Sequence, residues 1–90
     1  MRELLVDTCT AEGEDGAARS FRYYILVDEV EVGNGLFCES YGIKVTGPGG
    51  EEASVPNITV RAERIDELAE LLMRNSVSPV TLRDVIDDWL

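Results

Sequence analysis

Apolar residues follow two different periods along this chain. From Ser20 to Thr46 the dominant set recurs on alternate positions, around a continuous apolar run from Tyr23 to Val27. From Arg61 onward apolar residues recur every third or fourth residue. The first period belongs to half-buried strands and the second to amphipathic helices. Phe21, Tyr23, Ile25 and Val27 take odd positions, whereas Val30 and Val32 take even ones. A slip of one residue is what a β-bulge produces, and Asp28-Glu29 is its expected place. Gly33-Asn34-Gly35 then supplies the positive-φ residues of a tight hairpin, and Leu36 to Thr46 returns with Phe37, Tyr41, Ile43 and Val45 on the odd face. A two-residue Asn34-Gly35 turn pairs Val32 with Phe37 and Val30 with Glu39. Past the bulge the pairs become Val27–Tyr41, Ile25–Ile43 and Tyr23–Val45, all apolar or aromatic. Without it Ile25 would face Lys44 and Val27 would face Gly42, so the bulged register is preferred.

The flanking segments complete the pattern. Met1 to Thr10 reads as a first strand with Leu4, Val6, Thr8 and Thr10 on one face. Residues 11–19 form an acidic, glycine-containing loop (Glu12, Glu14, Asp15) expected to be flexible. Gly47-Pro48-Gly49-Gly50 is a second turn. Glu51 to Thr59 is a weaker strand whose Pro56 places it at a sheet edge or breaks it there. Arg61 to Arg74 is helical, with Ile65, Leu68, Ala69 and Leu72 on one face, Leu71 and Met73 beside it, a Glu70–Arg74 pair and Asn75 as C-cap. Pro79 suits the first turn of a last helix, on which Leu82, Val85, Ile86, Trp89 and Leu90 share a stripe opposite Asp84, Asp87 and Asp88. The expectation is one α+β domain over residues 1–90: a four-stranded antiparallel meander, β-β-β-β-α-α, with both C-terminal helices on one face.

Composition narrows the function classes. Ninety residues, 44% hydrophobic and 29% charged, suit a single globular domain that buries roughly 60–65% of its unfolded surface. Such a size leaves little room for a cleft between subdomains. The 18 acidic against 8 basic residues give a net charge of −10. That balance opposes nucleic acids and anionic membranes, which need Lys and Arg. It suits solubility, or steering toward a partner with a basic surface. No apolar run is long enough for a membrane span and no secretory leader is visible, so a cytoplasmic setting is the expectation.

Candidate chemistry is thin. Cys9 and Cys38, with no histidine, cannot complete a four-ligand zinc site without carboxylates or a second chain. Free thiols acting as small hydrophobes are expected, and a disulfide stays open until geometry decides. Asp28 to Glu39 imitates a calcium loop, but Val30 and Val32 occupy ligand positions. The glycine clusters lack the strand–loop–helix context of a phosphate cradle. Carboxylate catalysis would need a buried acid, and Asp84, Asp87 and Asp88 are expected in water. No enzyme activity, cofactor or metal is therefore expected. Of the aromatic residues Phe21, Tyr23, Tyr24, Phe37 and Tyr41, the odd-numbered ones are expected to pack under the helices. Tyr24 lies with Leu26 on the opposite, helix-free face, where Tyr24, Leu26 and Leu36 are the candidate interface residues.

Tyr41-Gly42-Ile43 within a strand, followed by a closing Val77-Ser78-Pro79 and Leu82-Arg83-Asp84-Val85-Ile86-Asp87-Asp88-Trp89-Leu90, resembles a family of short bacterial proteins of unknown function. The resemblance covers roughly Phe21 to Leu90 and implies a bacterial, cytosolic protein; it assigns a role to no residue. Gly42 is read as a point of close backbone approach or a bulge. The leading expectation is a small acidic interaction or regulatory module without catalysis. The alternative is a structural homo-oligomer that buries its second sheet face, and a carboxylate- or metal-dependent enzyme is a minor third.

Overall fold

The computed structural model describes residues 1–12, 16 and 18–90. It is the expected α+β arrangement. Strands β1 (Arg2–Glu12), β2 (Ala18–Gly33), β3 (Leu36–Thr46) and β4 (Glu52–Thr59) form one antiparallel sheet in the order β1-β2-β3-β4, followed by α1 (Ala62–Arg74) and α2 (Leu82–Trp89). β1 and β2 pair as far as Ala11–Arg19 and Glu12–Ala18, inside the segment expected to be a loop. Glu14 and Asp15 of that segment lie outside the described residues.

The central register follows the cross-strand matching. Tyr23–Val45, Ile25–Ile43 and Val27–Tyr41 are paired. The bulge that permits it lies elsewhere than expected, at Val32 rather than Asp28-Glu29. Val30 therefore pairs with Cys38 and Phe37 with Glu31, while Gly33 meets Leu36 across the turn. Gly33 has φ +111°, ahead of Asn34 at +52° and Gly35 at +73°. An L side chain rarely adopts the first of these, so the extra residue collects beside glycine rather than between two acids.

β1 departs from the expected facing for the same kind of reason. A bulge at Val6 switches its phase, so that Leu4 aligns with Ile25 and Cys9 with Phe21 on the helix side, while Thr8 and Thr10 point to the other face. The Thr10 and Ser20 hydroxyls are hydrogen-bonded there at 3.0 Å.

At the opposite edge, Gly42 alone on β3 is matched by Pro56, Asn57 and Ile58 on β4, with Asn57 at φ +55°. A Cβ on Gly42 would collide with the carbonyl of Val55 and lie 2.6 Å from Pro56 Cα. Glycine is thus what lets β4 fold over β3, and Pro56 sits in a bulged edge strand where its missing donor costs nothing.

The core lies between the sheet and the helices. Tyr23, Ile43 and Val45 pack with Ile65, Leu68, Ala69 and Leu72 of α1 and with Val77, Leu82 and Ile86, all buried. α1 ends in a left-handed turn: Ser76 at φ +49° donates to Met73, and Val77 donates to Leu72 at 3.0 Å, satisfying the last carbonyls and turning Val77 inward. Asn75 caps as expected, its side-chain amide donating to Leu71. Arg64 pairs with Glu67 at 2.9 Å, and no Glu70–Arg74 ion pair forms among the described residues. Pro79 belongs to the turn closed by Thr81 N–H on Ser78, so α2 begins only at Leu82. Its stripe ends early: Trp89 is half-buried and Leu90 is exposed, because a helix this short covers only the rim of the sheet.

Candidate functional site

Strand and helix lengths decide which surface stays uncovered. The molecule measures 55 × 23 × 18 Å. A 16-residue strand spans roughly 50 Å, whereas a 13-residue helix spans about 20 Å, so α1 covers less than half of β2. α1 begins three residues after Thr59, which pairs with Tyr41. β1 contributes its first pair at Arg2–Val27. Beyond these points β2 and β3 continue alone as a two-stranded ribbon of residues 28–40.

The ribbon carries Val32, Leu36 and Phe37 at 62%, 65% and 61% exposure, with Val30 also exposed. Asp28, Glu29, Glu31 and Glu39 lie among them. On the helix side Glu29 stands directly opposite Glu39, and Glu31 opposite Phe37. Like charges across a strand pair destabilise it. The base of the ribbon is tied down by Arg2, which meets Glu39 at 2.6 Å.

The three residues expected to form one interface are separated. Leu36 is at the ribbon tip. Leu26 is only 3% exposed, although it lies on the helix-free face. It sits across from Gly42, where β4 crosses over and approaches β2. Tyr24 is half-buried beneath Lys44, whose Nζ lies 5.5 Å from the ring centroid and pairs with Glu3 at 3.1 Å and Glu52 at 3.6 Å. The Glu3 carboxylate holds the Lys44 ammonium above its ordinary pKa. The helix-free face over Tyr24 is thus a charged lattice. Missed in the sequence was Phe37, the odd-numbered neighbour of Leu36. Its alternation with Tyr41, Ile43 and Val45 suggested core, and only the length mismatch between strand and helix leaves it bare.

A second concave surface lies between the helices, a groove of about 300 Å³ lined mainly by Leu71, Val77, Val85 and Trp89, with Asp88 and Asn75 at its rim. Asp84, Asp87 and Asp88 are exposed, as expected. Cys9 and Cys38 are both free thiols on different strands, and Cys9 Sγ–H donates to the Met73 carbonyl at 3.3 Å. Among the described residues no three His, Cys, Asp or Glu side chains cluster closely enough to hold a metal ion. Nor, among these residues, is any helix long and apolar enough to cross a membrane.

The model of one protein family, described as a family of unknown function (DUF6514), matches residues 2–90. The match includes β1 and so extends beyond the part, Phe21 to Leu90, that carries the motifs in the sequence. No curated protein and no solved structure matches the chain.

Proposed function

For this chain, which belongs to that family of unknown function, we propose a role as a small interaction or regulatory module without catalysis, acting on a protein partner that presents basic groups. The carrying observation is the β2–β3 ribbon, which holds Val32, Leu36 and Phe37 bare among four acidic side chains. Exposed apolar residues supply contact energy, and the surrounding carboxylates select the sign of the partner. The net charge of −10 extends that preference over long range. A cytosolic setting fits the two free thiols.

The homo-oligomer reading draws less support, because the Lys44 lattice occupies the middle of the face a second copy would bury. The acids of α2 are solvated and the interhelical groove is mainly apolar, which favours binding over acid–base chemistry.

Capture experiments with the tagged chain test the reading. Basic proteins held at about 0.1 M salt should be lost at about 1 M, where the screening length falls from about 10 to about 3 Å. They should also be lost with the charge-reversed variant E29K/E31K. Capture indifferent to both salt and charge reversal would refute the proposal.

A further inference from the structure

Among the described residues the ribbon leaves two short backbone edges unpaired, Asp28–Val32 on β2 and Leu36–Ser40 on β3. The long outer edges of the sheet are poor templates for another strand: β1 carries the Val6 bulge, and β4 carries Pro56 and the bulge around Asn57. Of the two ribbon edges, that of β3 has a single charge, Glu39, already engaged by Arg2. That of β2 carries three acids around one apolar residue. Glu29 and Glu31 lie on the helix side, and Asp28 and Val30 on the other. Beside it, where β1 gives out, lies an open hollow of about 260 Å³ lined by Met1, Arg2, Val27, Asp28 and Glu29. A strand continuing the line of β1 would enter there.

Charge decides what that strand can be. A second copy added antiparallel about Val30 would set Glu29 against Glu31 and Glu31 against Glu29, adding two like-charge pairs beside the existing Glu29–Glu39 pair. We infer that the β2 edge from Asp28 to Glu31 takes an extended segment of a partner protein in which Lys or Arg alternates with aliphatic residues. The basic side chains meet Glu29 and Glu31 and relieve their repulsion. The aliphatic ones lie beside Val30, while the backbone supplies the hydrogen bonds of an added strand. Phe37, across from Glu31, offers its ring to the base that reaches furthest over the ribbon. This assignment deepens the function proposed above and rests on it.

The test uses the full isotope-labelled chain and three short synthetic peptides: one alternating Lys and Val, one of the same composition with all Lys grouped at one end, and one alternating Glu and Val. The alternating basic peptide should move the amide signals of residues 28–32 and of Arg2 and Glu3, and bind at least about tenfold more tightly than the grouped one. E29K/E31K should weaken it by at least about tenfold without lowering the melting temperature, since a lysine at position 29 would face Glu39 favourably. Equal affinity for alternating and grouped peptides, or signals moving on α1, α2 or Leu36–Ser40 instead, would overturn strand addition and leave only charge-driven recognition. Failure of both basic peptides to bind would overturn this inference and the function proposed above together.

Discussion

The Tyr23 hydroxyl, at the centre of the sheet, donates to the Val77 carbonyl just past the end of α1 at 2.9 Å. Both residues are buried, so the bond joins the two layers where no water competes. Burial, with a smaller contribution from Cys9, pushes the Tyr23 phenol up to about 12.

Tyr23→Phe should therefore cost about 1–2 kcal/mol, since it strands the Val77 carbonyl. It should also change the alkaline limb of stability. The folded phenol titrates near 12 and the unfolded one near 10. Above pH 10 the unfolded chain loses a proton that the folded chain keeps, so stability is intact below 10 and declines toward 12, by about 2–3 kcal/mol from this group. Urea midpoints at pH 8 and pH 11 check it. A Phe variant that loses as much stability between those values as wild type refutes the assignment.

Gly42 is the next constraint. A Cβ there meets main-chain atoms of Val55 and Pro56, which cannot step aside as a side chain could. Gly42→Ala should cost about 2–3 kcal/mol and loosen β4, read as faster amide exchange from Val55 to Thr59. A variant as stable as wild type, with β4 still protected, would mean the strand crosses more loosely than described.

The central register was legible because both strands carry apolar residues on odd positions, so only one alignment keeps Tyr23, Ile25 and Val27 opposite Val45, Ile43 and Tyr41. The bulge position was not. An extra residue at Asp28, Glu29 or Val32 yields the same pairs from Val27 inward, and only the backbone freedom of Gly33 selects among them. Leu26 misled for a longer-range reason, because its cover comes from β4 folding over Gly42, and no local pattern in β2 records that. The ribbon escaped notice because hydrophobic alternation says which face a strand buries, not how far along the strand the helices reach.

Leu26 and Leu36 should accordingly behave in opposite ways. Leu26→Ala empties a buried position and should cost about 2–3 kcal/mol. Leu36→Ser, at the exposed tip, should stay within about 0.5 kcal/mol of wild type. Thermal melts of the two variants decide. Comparable losses would show the ribbon packed against something in the folded chain.

Ser76 holds the left-handed position at the end of α1 at φ +49°. A side chain there costs roughly 1–2 kcal/mol that glycine avoids, partly offset by the greater freedom of glycine when unfolded. Ser76→Gly should stabilise the domain by about 0.5–1 kcal/mol, raising Tm by about 2–6 °C. A lower Tm would mean that the Ser76 hydroxyl supports the turn.

Trp89, on the apolar stripe of the last helix, is a half-buried wall of the interhelical groove rather than a core residue. One face packs toward the core, and the Arg64 guanidinium carbon stands 4.2 Å from the ring centroid. Full burial would make truncation cost about 3–5 kcal/mol, so partial burial lowers the expectation for Trp89→Ala to about 2 kcal/mol. Arg64 also pairs with Glu67, which means that Arg64→Ala alone mixes two contacts. A double-mutant cycle separates them. Arg64→Ala should lose about 0.5–1 kcal/mol more in the Trp89 background than in the Trp89→Ala background, the value of the stacked cation. A coupling of zero would show that Arg64 only overhangs the ring. The same cycle bears on how α2 is held, because the stack links the last residue of α2 to the first turn of α1, and a sizeable coupling makes that link, rather than complete burial of the indole, what closes the C-terminal end of the fold.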